Sequence, residues 1–374
     1  MPFLIMRCVL MKMLLLLISL SALYQPMIYA RTDYIYPGKV WPDVKSNPIN
    51  AHGGGIYYDG VYYYFYGEYR VGKSIFSNEW QGSNQKVNMY RSKDLVHWMP
   101  VGIVLDLSHL PENYQLERPK IIYNKKNKEY VMWFHLEKNK KFTDGSGEAG
   151  VATSNNITGP YTFISASYSN AGVKPFSPAA NTDSSNWFVR QANKRFEKYF
   201  SRGQPVRDMA LFVDDDEKAY LIYESEDNYS LQVARLSDDY KSFSGVYSRI
   251  LVGQLNEAPS IMKYKNKYYL ITSGLSGYRP NAARISVADN ILGPWVTLGN
   301  PMSSFNSNDI LTSFHSQPTY ILKVKSDKYI YLGDRWDFKN NSYSDLWKST
   351  YVWLPINFSN EIPSISWVEK LSPD

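Results

Sequence analysis

Four polar side chains open corresponding segments of a pattern that recurs along the chain, and their types suit acid and base chemistry. In chain order they are Glu117, Asp208, Glu257 and Gln317. Two more carboxylates, Glu68 and Asp334, end the second segments of their units. Carboxyl groups that meet in one cleft suit glycoside hydrolysis, in which one acid protonates the leaving oxygen and a second group directs water or acts as a nucleophile.

A structural role is the alternative for each of these residues, because a carboxylate at a strand end often pairs with a nearby arginine. Arg118, Arg207 and Arg335 lie beside them in the sequence and could supply that charge. For one carboxylate alone, ion pairing would be the better interpretation. The recurrence of polar residues at the same point of successive units favours a shared site instead.

The pattern itself indicates the fold. Each unit has a polar opening, an apolar run, a polar turn and an aromatic second run, and the five units cover 51–56 with 62–68, 117–120 with 130–135, 207–210 with 219–224, 257–260 with 268–273, and 316–319 with 329–334. Self-similarity of this kind is typical of radial repeats, and two strands joined by a turn form the inner half of a propeller blade. We therefore predict an all-β, five-bladed β-propeller whose inner strands bring the polar openings to one central channel.

Further strand-like runs lie between the units, at 87–92, 149–154, 231–235 and 282–287. Turn signals such as Gly159-Pro160 and Gly293-Pro294 follow some of them, which favours four-stranded blades over a sandwich. Residues 165–205 break the rhythm and are predicted to be a surface insertion with helical spacing in its middle, although loops beside a channel often shape a pocket. We expect one domain over 31–374.

The first thirty residues are typical of a cleaved secretion signal. Arg7 and Lys12 precede the apolar run 13–18, and Ala30 is a small residue suited to signal-peptidase cleavage. An uncleaved membrane anchor is the alternative, but the apolar run is well short of the roughly 20 residues that a span needs. We expect a secreted or periplasmic protein without a membrane span, whose only cysteine, Cys8, lies inside the signal.

Composition and spacing exclude several classes of function. The 374 residues are 44% hydrophobic and 20% charged, as in an ordinary globular protein, and the basic residues that give the net charge of +6 are scattered, so no nucleic-acid partner is expected. The five histidines lack metal-ligand spacing, and the acidic run 214–217 lacks EF-hand spacing. We therefore predict no metal site and no required cofactor, with calcium in the channel left open.

At these residues the chain resembles glycoside hydrolase family 43, whose members are five-bladed propeller enzymes, over essentially all of 31–374. Within that family it is similar to the exo-β-1,3-galactanase branch. The motifs that carry the resemblance are NAHGGG at 50–55, YGE at 66–68, LERPK at 116–120, VMW at 131–133, RDM at 207–209, EAP at 257–259, TSG at 272–274, PNAAR at 280–284, HSQ at 315–317 and GDRW at 333–336.

The resemblance implies a role for each candidate. Glu257 matches the general acid, Asp208 the carboxylate that tunes and orients this acid, and Glu117 a carboxylate that contacts the sugar near the cleaved bond. Most of the family has an aspartate base in the first blade, where this chain reads AHGGG at 51–55, a departure that the galactanase branch shares. In that branch a glutamine matching Gln317 holds the attacking water, with inversion at the anomeric carbon.

Four further residues are expected to bind substrate: Tyr278, where the branch commonly has a tryptophan, together with Glu68, His52 and Arg335. The leading hypothesis is a secreted, monomeric exo-β-1,3-galactanase that releases galactose from arabinogalactan-type glycans, with an oligo- or polysaccharide as its partner. A β-galactosidase or α-L-arabinofuranosidase of the same family is the alternative enzyme. A non-catalytic, sugar-binding propeller is the alternative of another class, against which the retained pair of Glu257 and Asp208 argues.

Overall fold

Five sheets form a ring in which each first strand contacts the first strands of the two neighbouring sheets. The structure is a computed structural model that describes residues 33–71, 85–138, 143–176, 185–324, 328–337 and 345–373. The contact of the fifth sheet with the first closes the ring. The predicted five-bladed β-propeller is therefore confirmed, whereas the predicted signal at 1–30 lies outside the described residues.

Each blade contains four consecutive antiparallel strands, ordered from the channel outward. Blade 1 has β1 (His52–Tyr58), β2 (Tyr63–Glu68), β3 (Lys86–Ser92) and β4 (Met99–Asp106). Blade 2 has β5 (Gln115–Asn124), β6 (Glu129–Glu137), β7 (Glu148–Ser154) and β8 (Thr162–Ser167). Blade 3 has β9 (Met209–Val213), β10 (Ala219–Ser225), β11 (Ser230–Leu236) and β12 (Phe243–Ile250).

Blade 4 has β13 (Asn256–Tyr264), β14 (Lys267–Gly274), β15 (Arg284–Ala288) and β16 (Val296–Gly299). The short β17 (Met302–Ser303) precedes blade 5, which has β18 (Gln317–Lys323), β19 (Tyr329–Arg335), β20 (Thr350–Ser359) and β21 (Ile362–Ser366), and it pairs in parallel with β21. The helices are α1 (Trp187–Tyr199), α2 (Ser307–Thr312) and a 3₁₀ turn at Leu346–Lys348. None of the helices within the described ranges is long and apolar enough to cross a membrane.

The core lies between the blades, in five apolar clusters that each join two neighbouring sheets. The cluster between blades 5 and 1 contains Trp98, Phe65 and Trp353, and Trp41 of the N-terminal segment packs edge-on against Trp353 at 4.8 Å. These aromatic side chains suit pleated, buried surfaces. Replacing Trp353 with alanine would cost about 3–5 kcal/mol of stability, because the cavity left behind would open the seam that closes the ring.

The predicted insertion begins where β8 ends, and α1 occupies its second half. An isolated antiparallel β-bridge between Ser169 and Gln204 joins the two ends of the insertion. Asn186 caps α1 by accepting hydrogen bonds from two backbone N–H groups of the first turn, and the helix buries Val189 and Phe196 on its inner face. The helical spacing expected in the middle of the insertion is thus confirmed.

Four inner strands, β1, β5, β13 and β18, have a β-bulge near their start. These bulges set the direction of the polar side chains at the strand openings. Three of these bulges contain a left-handed residue directly after the opening residue: Gly53 (φ 61°), Arg118 (φ 54°) and Ala258 (φ 53°). A bulge turns the strand locally and redirects its side chains. The openings of the inner strands can therefore face the channel mouth while the rest of each strand keeps its register in the sheet.

Candidate active site

A ring of five cross-strand pairs surrounds the channel mouth. In blade order the pairs are His52 with Glu68, Glu117 with His135, Asp208 with Glu224, Glu257 with Ser273, and Gln317 with Asp334. Each pair joins the opening of an inner strand to the end of the second strand. The ring therefore gathers, at one end of the propeller, polar residues that lie far apart in the sequence.

Six of the predicted site residues line one cavity of about 180 Å³: Glu68, Glu117, Asp208, Glu257, Tyr278 and Gln317. The other two do not reach it. His52 has no exposed surface and stacks on Tyr351 at 5.4 Å, so the prediction that it binds substrate is corrected. Arg335 donates to the carbonyl of Phe314 at 2.7 Å and lines an adjoining cavity of about 370 Å³.

Glu257 has the properties that a general acid requires. Its side chain is 9% exposed, and burial, helped by the charge of Asp208, raises its pKa to about 8. The backbone N–H of Ser276 donates to Oε2 at 3.3 Å and opposes part of that rise. At neutral pH Glu257 is mostly protonated, and it can give its proton to a leaving oxygen.

Arg118 connects two residues of the ring, a role that the sequence pattern does not reveal. Its Nη2 lies 2.9 Å from Oδ2 of Asp208 and donates to Oε1 of Gln317 at 2.6 Å, while Nη1 donates to the carbonyl of Pro318 at 3.2 Å. The guanidinium is buried, so these contacts fix it firmly. The expected ion pair between a carboxylate and a neighbouring arginine therefore exists, but it lies inside the site.

The amide of Gln317 has one orientation only. Oε1 accepts hydrogen bonds from Arg118 and from Nε1 of Trp336, at 2.6 and 2.8 Å, and neither donor can act as an acceptor. Nε2 donates to Oγ of Ser273 at 3.2 Å and keeps a second N–H. Gln317 can thus hold a water only as a donor, since both lone pairs of its oxygen are already used.

Glu117 is held as a carboxylate. Oε1 accepts from Nε2 of Gln115 at 2.6 Å and from the hydroxyl of Tyr278 at 3.3 Å, and Oε2 lies 3.5 Å from Nδ1 of His135. Burial alone would raise its pKa, but His135, then Arg70 and Gln115, outweigh burial and lower the pKa to about 2. Glu117 therefore places a negative charge in the wall of the cavity.

His135 carries the compensating positive charge. Its Nε2 lies 3.0 Å from Oε1 of Glu137, on the side opposite to Glu117, and all three side chains are buried. Burial lowers the pKa of the imidazole, but the two carboxylates raise it to about 9. The protonated imidazole of His135 therefore lies between the carboxylates of Glu117 and Glu137.

The carboxylates that end second strands have a structural task. Glu68 accepts from the N–H of Arg118, Glu224 from that of Ala258, and Asp334 from that of Gly53, at 3.0, 2.9 and 2.6 Å. Each donor is the left-handed bulge residue of the next blade. Glu68 is also bound by Arg70, and burial with repulsion from Asp208 and Glu257 raises the pKa of Glu224 well above its usual range. These hydrogen bonds join neighbouring blades at the cavity.

One group of the described residues could offer ligand atoms to a cation. Atoms of Glu117, His135 and Asp208 lie within 4.8 Å of one another. However, Asp208 is paired with Arg118, and the imidazole of His135 between Glu117 and Glu137 is positively charged, with both ring nitrogens protonated. A calcium ion prefers oxygen ligands and would have to displace both positive charges, so this donor set does not fit it.

Trp336, Arg207 and Asn228 are also among the residues that line the cavity. Trp336 meets the ring of Tyr278 edge-on at 5.1 Å, and the Arg70 guanidinium lies 4.9 Å from the centre of the Trp336 ring. Trp336 ends the predicted motif GDRW, so the pattern could have found it. Arg207 and Asn228 were not among the predicted site residues; Arg207 begins the motif RDM, whereas no sequence pattern marks Asn228.

Comparisons with known proteins agree with this geometry. The family model "Glycosyl hydrolases family 43" matches residues 179–341. Among solved structures, a GH43 β-1,3-galactosidase with galactodeoxynojirimycin is 38% identical with a TM-score of 0.80, over 90% of this chain and 100% of that one. No curated protein sequence matches the chain.

Two further structures are similar over about two thirds of their own length. The exo-β-1,3-galactanase of Clostridium thermocellum is 32% identical with a TM-score of 0.74, covering 91% of this chain and 67% of that one. A glutamate-to-glutamine variant of the Phanerochaete chrysosporium exo-β-1,3-galactanase, solved with β-1,3-galactotriose, is 29% identical with a TM-score of 0.70, covering 91% and 68%.

Proposed function

The chain belongs to glycoside hydrolase family 43, in its exo-β-1,3-galactanase-like branch, and on that premise we propose that it removes single galactose units from the ends of β-1,3-linked galactans. The observation that carries this proposal is the buried, neutral Glu257 at a cavity with room for about one sugar. The 38% identity to a β-1,3-galactosidase over that enzyme's whole length supports the sugar and the linkage.

The two adjoining cavities support an exo mode of action. The smaller, of about 180 Å³, contains the acidic residues, and the larger, of about 370 Å³, adjoins it. Tyr278, Gln317 and Trp336 line both. A terminal galactose would occupy the smaller cavity, and the rest of the chain would lie in the larger one, with the scissile bond at their junction.

In the proposed mechanism Glu257 gives its proton to the glycosidic oxygen as the bond from that oxygen to the anomeric carbon breaks. A water on the opposite face of the ring forms the new bond, and its proton passes to Glu117. Gln317 orients this water through its remaining N–H. A water that is bonding to an anomeric carbon is much more acidic than free water, so a carboxylate of low pKa can accept its proton. The configuration is inverted.

A β-galactosidase that prefers short oligosaccharides is the second candidate, because the relative that is 38% identical bears the name β-1,3-galactosidase rather than galactanase. The two activities share one site and differ in how many sugars the larger cavity accommodates. Rates on β-1,3-galacto-oligosaccharides of increasing length separate them: a galactanase gains from longer chains, whereas a short-chain galactosidase does not.

The direct experiment compares linkages. Protein comprising residues 31–374 is incubated with β-1,3-galactobiose, β-1,4-galactobiose, 4-nitrophenyl β-D-galactoside and 4-nitrophenyl α-L-arabinofuranoside, with Glu257→Gln as the inactive control. We expect galactose from the β-1,3-linked disaccharide and little from the β-1,4-linked one. Cleavage of the arabinofuranoside alone would overturn the proposal in favour of an arabinofuranosidase. Sugar binding without any cleavage would indicate a non-catalytic, sugar-binding propeller.

We also propose that the protein is secreted as a monomer and acts on arabinogalactan-type glycans outside the cytoplasm. The basic start and the apolar run of residues 1–30 support secretion. Sequencing the N-terminus of the exported protein should give a start near Arg31. A mature protein that retains residues 1–30 would contradict cleavage.

A further inference from the structure

Three consecutive residues with left-handed backbone form a turn at the wall of the cavity. They are Glu226 (φ 55°), Asp227 (φ 54°) and Asn228 (φ 66°), and none of them is glycine. Left-handed backbone is unfavourable for residues with a Cβ, and a run of three persists only where the surroundings impose it. The contacts that impose this conformation come largely from α1, in the insertion between blades 2 and 3.

Glu226 is the first anchor of the turn. Its carboxylate binds Arg249 through two hydrogen bonds of 2.6 and 2.7 Å, and it has no exposed surface. Arg249 in turn donates to Oδ1 of Asn193 at 3.0 Å, and its guanidinium lies 4.3 Å from the centre of the Phe196 ring. Asn193 and Phe196 both belong to α1, so the helix fixes the arginine that fixes the turn.

Asp227 is the second anchor, and α1 contacts it directly. Oδ2 accepts from Nε of Arg195 at 3.1 Å and from the hydroxyl of Tyr199 at 2.8 Å, two residues one helical turn apart. Oδ1 accepts from the backbone N–H of Gly145 at 2.6 Å and lies 3.7 Å from Nη2 of Arg207. Asp227 therefore joins the helix to an arginine of the cavity wall.

Asn228 is the residue of the turn whose side chain lines the cavity. Its Oδ1 accepts from Nη1 of Arg207 at 3.0 Å, and both side chains line the cavity. The acceptor end of the amide is thus occupied. No described residue accepts a hydrogen bond from its Nδ2, so the donor end remains for hydroxyl oxygens of a sugar.

We propose that Asp227 is a positioning residue through which α1 holds the Asn228 amide and Arg207 against the terminal sugar. Asp227 itself need not touch the substrate. The inference rests on the proposed function, since the ligand is the galactosyl unit in the smaller cavity. It assigns a task in sugar binding to an insertion that the sequence pattern marks only as a surface elaboration. A helix that merely stabilised the propeller would affect unfolding and leave sugar affinity unchanged.

Two variants separate these roles. Asp227→Asn keeps the shape of the side chain, and asparagine tolerates left-handed backbone as aspartate does. The variant removes the negative charge that binds Arg195 and Arg207. Tyr199→Phe removes one hydroxyl on the helix side. Lys194→Gln, at a position of the same helix outside this contact, is the matched control. For each protein we would measure the thermal midpoint, the kcat and KM on β-1,3-galactobiose, and the Kd of galactose by calorimetry.

We expect Asp227→Asn to raise KM and the galactose Kd about tenfold, the cost of roughly one good hydrogen bond, while kcat changes less than about threefold. Tyr199→Phe should move KM and Kd in the same direction by a smaller factor. Its effect should largely vanish in the double variant with Asp227→Asn, because both act through one contact. Lys194→Gln should match the wild type.

A lower thermal midpoint with unchanged KM and Kd would overturn the proposal. If Asp227→Asn did not fold, Tyr199→Phe would decide alone, and an unchanged Kd in it would count against the positioning role. Failure of the proposed function has a different signature, since the wild-type protein would then release no galactose from any β-galactoside. An active wild type with unaffected variants refutes only the positioning role.

Discussion

The Nη2 atom of Arg118 lies 2.6 Å from Oε1 of Gln317, and this contact decides what the glutamine can do. With Nε1 of Trp336 on the same oxygen at 2.8 Å, the amide oxygen has no lone pair left for the hydrogens of a water. In the proposed mechanism Gln317 therefore orients the water by donation, since its amide cannot take a proton. The proposed proton acceptor is Glu117, whose carboxylate His135 keeps ionised.

Replacing Gln317 with alanine should lower kcat by about 10²-fold with a much smaller change in KM, because it removes a group that aligns the attacking water. Steady-state rates on β-1,3-galactobiose test this. Trp336→Phe, which removes the second donor to Oε1 but keeps an aromatic ring in the cavity lining, should cost less than about tenfold in kcat. Unchanged turnover in Gln317→Ala would mean that another residue orients the water.

Glu257→Gln should reduce turnover by about 10²–10⁴-fold while the fold and galactose binding persist, since an amide of the same shape has no proton to give. Turnover of β-1,3-galactobiose and calorimetric binding of galactose are the two readouts. The loss should be smaller for an aryl galactoside whose leaving group needs no protonation. Near-normal activity of the variant on the disaccharide would remove Glu257 from the role of acid.

Asp208→Asn should shift the alkaline limb of the kcat/KM profile to lower pH. Activity requires protonated Glu257 and therefore falls as pH rises through its pKa of about 8. Burial is the larger cause of that raised pKa and persists in the variant, so the limb should move only part of the way towards the ordinary value. Asp216→Asn, on an exposed turn of blade 3, is the control. A fixed limb with a raised KM would make Asp208 a binding residue instead.

His135→Gln should create an acidic limb in the same profile. In the wild type Glu117 stays ionised down to about pH 2, because the charge of His135 outweighs burial. Glutamine can still donate a hydrogen bond but carries no charge, so burial then raises the pKa of Glu117. Activity in mildly acidic buffer should fall relative to neutral buffer in the variant, and the wild type should show no such fall. Matching profiles would separate His135 from the ionisation of Glu117.

The recurring units of the sequence predict the blades because each unit carries its own strand and turn signals. They also predict which residues stand at the channel mouth, since the inner strands of a propeller run along the channel and begin at the same end of it. They do not predict which way a side chain beside a bulge turns. Glu117 and His52 both stand directly before a bulge, yet Glu117 lines the cavity and His52 packs against Tyr351 outside it.

Contacts between distant segments are what the pattern could not contain. Arg118 and Gln317 are 199 positions apart, and their contact depends on blades 2 and 5 meeting across the channel. Asn228 lines the cavity from a turn with left-handed backbone, and α1 contacts the neighbouring Asp227 of that turn. Such positions lack a periodic signal, since tertiary contacts rather than local sequence fix them.

The proposed activity and mechanism are tested together by an NMR time course with β-1,3-galactotetraose. Its reducing end is converted to the alditol, so that any free anomeric signal comes from cleavage. We expect α-galactose as the first free sugar, with no galactobiose, and no signal with Glu257→Gln. Release of β-galactose would contradict inversion, galactobiose as an early product would contradict exo action, and an intact tetrasaccharide would contradict the proposed substrate.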